Sequence, residues 1–184
     1  MNGCDLRSLP LSSHRMVFQP TIRGQAVEKR RSMRFEELYD GQILDIGSHT
    51  VSAEEIIEFA RRYDPQPFHI DVQAARASRW SGLIASGFHT CGIAMRLVVD
   101  HLLIGSESMG SPGIESVKWQ NPVRPGDTLQ LRVHVLSVKP SGSGKVGVVR
   151  WQWILHNQQN LPVLDLIVTS LFDITSKSSK ADPA

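Results

Sequence analysis

The chain holds 184 residues, 41% hydrophobic and 21% charged. This composition fits one globular domain with or without a tail, and it excludes wholesale disorder and collagen-like architecture. The net charge of +2 is too small to point to a polyanionic partner, and no apolar stretch approaches the ~20 residues of a spanning helix. The charge is unevenly placed. Residues 1–32 carry Arg7, Arg15, Arg23, Lys29, Arg30 and Arg31 against Asp5 and Glu28, a local charge of +4 that leaves −2 on the rest.

Residues 1–32 show no sustained apolar period and are expected to be a disordered or loosely attached basic leader. Three explanations stand beside each other: a start assigned ahead of the true one near Met33, an organelle transit peptide, or a short nucleic-acid arm at Lys29-Arg30-Arg31. Cys4 and Cys91 have no zinc spacing and no expected bridge, which fits a reducing compartment. The expected location is cytoplasmic, or the mitochondrial matrix if the leader is a transit peptide. The folded domain is expected over 33–175, with a polar tail over 176–184.

Within that domain, residues 41–51 read as a strand after a glycine turn. Ser52 with Glu55 three positions on forms a capping-box pattern, and Ile56, Ile57, Phe59 and Ala60 supply a helical apolar face. Asp64-Pro65 ends that helix, because a residue before proline is pushed out of the helical region. A short helix is predicted after Asp71. From Phe88 to Ile104, apolar residues cover most sides of a longer helix, so it is expected to be largely buried. Residues 114–120, 129–135, 149–155 and 163–174 read as four strands in a meander; the first ends before Asn121-Pro122, and turns at 140–144 and 157–160 separate the last three. The sum is an α+β chain in which a curved antiparallel sheet wraps around one long buried helix.

The most unusual segment is Tyr63-Asp64-Pro65-Gln66-Pro67-Phe68-His69. Its prolines predict a stiff extended loop that presents a carboxylate and an imidazole together. Such a pair, converging on one water, can act as acid and base. The plain reading is a turn-capping Asp64 and a surface His69.

This segment resembles the hydratase motif of the MaoC-like dehydratases, a family that includes the (R)-specific enoyl-CoA hydratases. The resemblance extends through Asp71, Ala74 or Ala75, and Ile84-Ala85-Ser86-Gly87 to Asn121-Pro122-Val123-Arg124-Pro125-Gly126-Asp127. It implies the hot-dog fold, a homodimer or higher oligomer, and action on acyl thioesters of coenzyme A or an acyl carrier. Water would add to a trans-2-enoyl thioester to give a (R)-3-hydroxyacyl thioester, with Asp64 and His69 activating the water. Gly87 would supply a backbone N–H to the developing enolate oxygen, and Gln66, Phe68, Ser86 and Thr90 would line the substrate site. Coenzyme A is then part of the substrate, and no cofactor, metal, nucleic acid or membrane is expected. Three positions depart from the pattern: Gln66 replaces the usual Asn, Ser86 stands where many members have His, and the helix serine of some hydratases has no counterpart at Ile93-Ala94-Met95, with Thr90 as a candidate substitute. The first two departures keep open a non-catalytic acyl-thioester binding protein, with a hot-dog thioesterase as a further alternative.

Other patterns carry less. Ser141-Gly142-Ser143-Gly144-Lys145 lacks the first glycine and the final Ser/Thr of a phosphate loop and lies between strands, so a hairpin is expected. His89, His101, His134 and His156 have no metal-ligand register. Trp119, Trp151 and Trp153 are expected to pack in the sheet. Arg61, Arg62, Arg76, Arg79 and Arg124 are taken as solvated surface groups in preference to phosphate contacts.

Overall fold

The strongest local pattern, apolar alternating with polar, builds three adjacent strands. A computed structural model describes residues 33–175; the readings of the leader, the tail and Cys4 lie outside the described residues. Strand β3 (Thr128–Pro140), β4 (Val146–His156) and β5 (Pro162–Asp173) form an antiparallel meander. Their inward residues meet in rows: Leu131 opposite Leu155 opposite Leu164, and Val133 opposite Trp153 opposite Leu166. All six are buried, and cross-strand rows of this kind are the unit of sheet stabilisation.

The remaining strands close the two edges. Strand β1 (Ile43–Thr50) pairs with β3, and β2 (Ser108–Trp119) pairs with β5, giving the order β1-β3-β4-β5-β2. The fourth strand of the expected meander is therefore displaced. β2 precedes β3 in the chain but lies at the opposite side of the sheet, because its partner is β5. β2 also starts earlier than residue 114 and is mostly exposed. Bulges interrupt β1 between Asp45 and Gly47 and β3 between Val135 and Ser137, and such bulges bend a sheet.

The helices cover the concave face. Helix α1 (Ala53–Tyr63) is capped by Ser52, whose hydroxyl accepts from the Glu55 N–H at 3.1 Å. The return half of the capping box is not made; the Glu55 carboxylate turns instead to His49 Nε2, at 2.9 Å. Helix α2 (Pro67–Ile70) is a single turn, and α3 (Val72–Ala77) is capped by Asp71, which accepts from the Gln73 and Ala74 N–H groups. Helix α4 (Gly87–Val98) continues into a wider π-helical turn over Val99–Leu103. Ile93, Ala94, Leu97 and Val98 face the core, but Phe88 and Met95 are exposed. Burial of α4 is thus one-sided: on its other flank Phe88 meets Trp119 of β2 edge-on and Met95 is left 45% exposed. Among the described residues no helix is long and apolar enough to cross a membrane. The architecture is the α+β hot-dog arrangement, a five-stranded antiparallel sheet curved about a central helix.

Candidate functional site

Four of the six buried polar side chains among the described residues, His69, Ser86, His89 and Thr90, gather at the start of α4. Buried polar groups need partners, so the hydrogen bonds there define the site. Asp64 terminates α1, and Pro65 prevents further helix. The second proline acts differently from the sequence expectation. Pro67 occupies the first position of α2, where its missing N–H is harmless, and so His69 sits in a helical turn and not in an extended loop.

His69 is only 3% exposed, far from a surface histidine. Its Nδ1 lies 2.7 Å from the Ile84 carbonyl. A carbonyl only accepts, so Nδ1 carries a proton and donates it. In the neutral ring Nε2 then holds the lone pair, 3.4 Å from Asp64 Oδ2. The carboxylate is fully engaged. Gln66 Nε2 donates to Oδ1 at 2.8 Å and the Ser86 hydroxyl donates to Oδ2 at 2.7 Å. Burial works against the charged carboxylate, but the Ser86 and Gln66 hydrogen bonds and the nearby His69 ring outweigh it, holding the Asp64 carboxyl below its usual range. Two of the residues that depart from the family pattern are thus the two that hold Asp64.

Ser86 is the residue before α4 and is 0% exposed. Its hydroxyl faces Asp64, makes no cap bond to the helix, and does not line the cleft. Gly87 opens α4 on the cleft wall. Trp119 Nε1–H donates to the Gly87 carbonyl at 2.9 Å, and a Cβ added at Gly87 would lie 2.6 Å from the indole. Only glycine permits that approach. The Thr90 hydroxyl donates to the Ser86 carbonyl at 3.2 Å. Asp64, His69, Phe68, Gly87, Thr90 and Trp119 border a cleft of about 320 Å³, and Gln66 lies at its edge.

Trp119 corrects the expectation of sheet packing. Trp151 and Trp153 are buried in the sheet as predicted, whereas Trp119 is 49% exposed at the cleft wall. Sequence reasoning also missed Ile84, because a main-chain carbonyl leaves no residue-type signal. Arg124 is no free surface group either: its guanidinium donates to the Trp80 carbonyl at 2.8 Å. The Asn121–Asp127 stretch is architectural. Asp127 accepts from the Arg124 N–H and from Gln158, and the Val123 carbonyl accepts from the Ala85 N–H beside the site. Ser141–Lys145 joins β3 to β4 as the expected hairpin. Among the described residues no three His, Cys, Asp or Glu side chains are placed to hold a metal ion.

A second acid–imidazole cluster lies on the other flank of α4. Glu55 approaches His49 at 2.9 Å and His89 Nε2 at 3.7 Å, and Phe59 stacks on the His89 ring at 4.8 Å between centroids. His89 Nδ1 is buried without a hydrogen-bond partner. Burial, partly offset by Glu55, lowers the His89 pKa.

Residues 34–154 match the family model of the MaoC-like domain. The chain belongs to the MaoC-like family. A crystal structure of a MaoC-like dehydratase from Rhodospirillum rubrum is 38% identical, with a TM-score of 0.69 over 75% of this chain and 94% of that one. The protein YdeM of Bacillus subtilis is 29% identical over 133 residues, covering 72% of this MaoC-like chain and 94% of its own length. The unliganded R-hydratase of Pseudomonas aeruginosa, at 20% identity, shares the fold with a TM-score of 0.67 over 83% of this chain and 96% of that one.

Proposed function

We propose that this MaoC-like chain is a hydratase/dehydratase that interconverts a trans-2-enoyl thioester and a (R)-3-hydroxyacyl thioester of coenzyme A or an acyl carrier. The observation that carries the reading is the Asp64–His69 pair, 3.4 Å apart in the cleft, with the imidazole tautomer set by Ile84. A water held between Oδ2 and Nε2 attacks the β-carbon as its proton passes to Nε2, and ionised Asp64 stabilises the imidazolium. The C=C electrons move toward the thioester carbonyl. The enolate oxygen takes the Gly87 N–H at the start of α4, where a helix N-terminus favours negative charge. The imidazolium then returns its proton to the α-carbon, so one water is added and the site is regenerated.

A non-catalytic binding role rests on Gln66 and Ser86 as departures from the pattern, yet both donate to Asp64 and favour the same charged state. The test is loss of enoyl absorbance with crotonyl-CoA and with longer and branched enoyl-CoAs. Turnover by the wild-type chain, lost in Asp64→Asn, is the expected result. Absence of hydration on every acyl chain, with tight acyl-CoA binding retained, would replace this reading by the binding one, and release of free thiol would replace it by thioester hydrolysis.

A homodimer built on the β2 edge is part of the same proposal. β2 leaves a row of main-chain groups unpaired, with Met109 and Ile114 exposed upon it. Such an edge invites a second strand, and a two-fold pairing of β2 with itself satisfies it. Light scattering should give twice the chain mass, and Ile114→Lys should lower it.

A further inference from the structure

We propose that Trp119 is the partition that ends the acyl-binding cleft and restricts the substrate to short acyl chains. The inference rests on the thioester reading above and adds the substrate class. Trp119 closes β2 and lies across the first turn of α4. Its indole fills the space over Gly87, meets the Phe88 ring edge-on at 5.7 Å between centroids, and interacts with the Cys91 thiol. On this proposal an acyl chain with its thioester oxygen at the Gly87 N–H runs along α4 and meets the indole.

Beyond the indole lies a second space. Between α4 and β2, β4 and β5 there is a cavity of about 320 Å³, lined chiefly by Cys91, Met95, Leu103, Ile114, Leu166 and Val168. It shares no lining residue with the catalytic cleft. Cys91 is the junction, since it touches Trp119 and lines the second cavity. The cavity lining is mostly apolar and suits hydrocarbon, and the cavity opens to the surface at Met95 and Ile114. The molecule thus holds a cleft that carries the chemistry, an apolar space suited to a longer chain, and one side chain between them. Opening that partition joins the two.

Substitutions at Trp119 also remove the hydrogen bond to the Gly87 carbonyl, so a general fall in turnover does not discriminate. The readout is selectivity. Calorimetric affinities for butyryl-CoA and octanoyl-CoA are measured on the wild type, Trp119→Ala and Trp119→Phe, beside hydration of crotonyl-CoA and the matching octenoyl thioester. The wild type is expected to favour the shorter chain. Trp119→Ala should shift the octanoyl-to-butyryl ratio toward the longer chain by about 10-fold, a few methylenes being worth at least that. Trp119→Phe, which keeps a ring but loses the N–H, should retain the wild-type preference. An unchanged ratio in Trp119→Ala, or a wild type that already binds octanoyl-CoA as well as butyryl-CoA, would overturn the partition. A shifted binding ratio in a protein that hydrates nothing would leave the partition standing and remove the hydratase reading. The second cavity occupied by side chains of a second copy would appear as the unchanged ratio.

Discussion

Two clusters at opposite flanks of α4 are built from the same parts, a carboxylate from α1 and a buried histidine, yet they are not equivalent. At Asp64–His69 every position but one is committed. Both carboxylate oxygens accept from neutral donors, and the far imidazole nitrogen is tied to Ile84, which leaves Nε2 toward the cleft. At Glu55 the carboxylate is engaged by His49, and His89 has a buried nitrogen with no partner to set its tautomer. Proximity of an acid and an imidazole is therefore not by itself the ground on which Asp64–His69 is proposed as the catalytic pair. What distinguishes the first is that its neighbours dictate where the protons sit.

The sharpest way to break this contrast is to neutralise each carboxylate in turn. Asp64→Asn and His69→Ala should each cut hydration by about 10²–10⁴-fold, the usual worth of a positioned acid–base group. Glu55→Gln should leave the rate within about threefold, at the scale of an exposed ion pair. Initial rates on one enoyl-CoA, with circular dichroism to verify folding, decide it; comparable losses at both sites would dissolve the distinction.

Ser86→Ala tests the commitment of Asp64 more gently. A hydrogen bond to a charged group is worth about 1.5–3 kcal/mol, so kcat/KM should fall by about one to two decades. Removing a donor to the ionised form raises the carboxyl pKa, and the acidic limb of the pH–rate profile should move to higher pH. A fall in rate with an unmoved limb would mean that Ser86 only packs.

The second cluster should report through stability. The folded-state pKa of His89 is depressed, first by burial. The unfolded chain then binds the extra proton, and stability rises with pH. His89 should contribute fully above its ordinary value of about 6.5, and that contribution should be lost as pH falls through it. Denaturant melts between about pH 5 and 8 should show this slope, and His89→Phe should flatten it. Gln66→Ala is the mildest change, since its amide is solvent-exposed; a fall of about threefold in kcat/KM is expected, near the lower range for one hydrogen bond.

What was legible in the sequence is what local chemistry decides. The period-two runs of β3 to β5, the Ser52 cap, the short helix after Asp71 and the proline stop after Asp64 each follow from neighbouring residues. The acid and the imidazole were legible from two prolines between them, although Pro67 starts a turn of helix where an extended loop was expected. Pairing across the chain was not. Nothing near residues 108–119 says that β2 must lie beside β5, and so nothing placed Trp119 against Gly87. The partners of Asp64 were hidden likewise. Ser86 stands 22 residues away, and the Ile84 carbonyl belongs to the backbone.

The start of α4 carries one more consequence. Its flanking serine gives its hydroxyl away, so the opening amides of a central helix receive no side-chain cap. An anion-like oxygen seated in the cleft would finish the helix from outside. Small carboxylates or thioesters that reach those amides should therefore raise the melting temperature more than their contact area alone would account for, and a thermal-shift screen of such fragments would find them even in a variant that performs no chemistry.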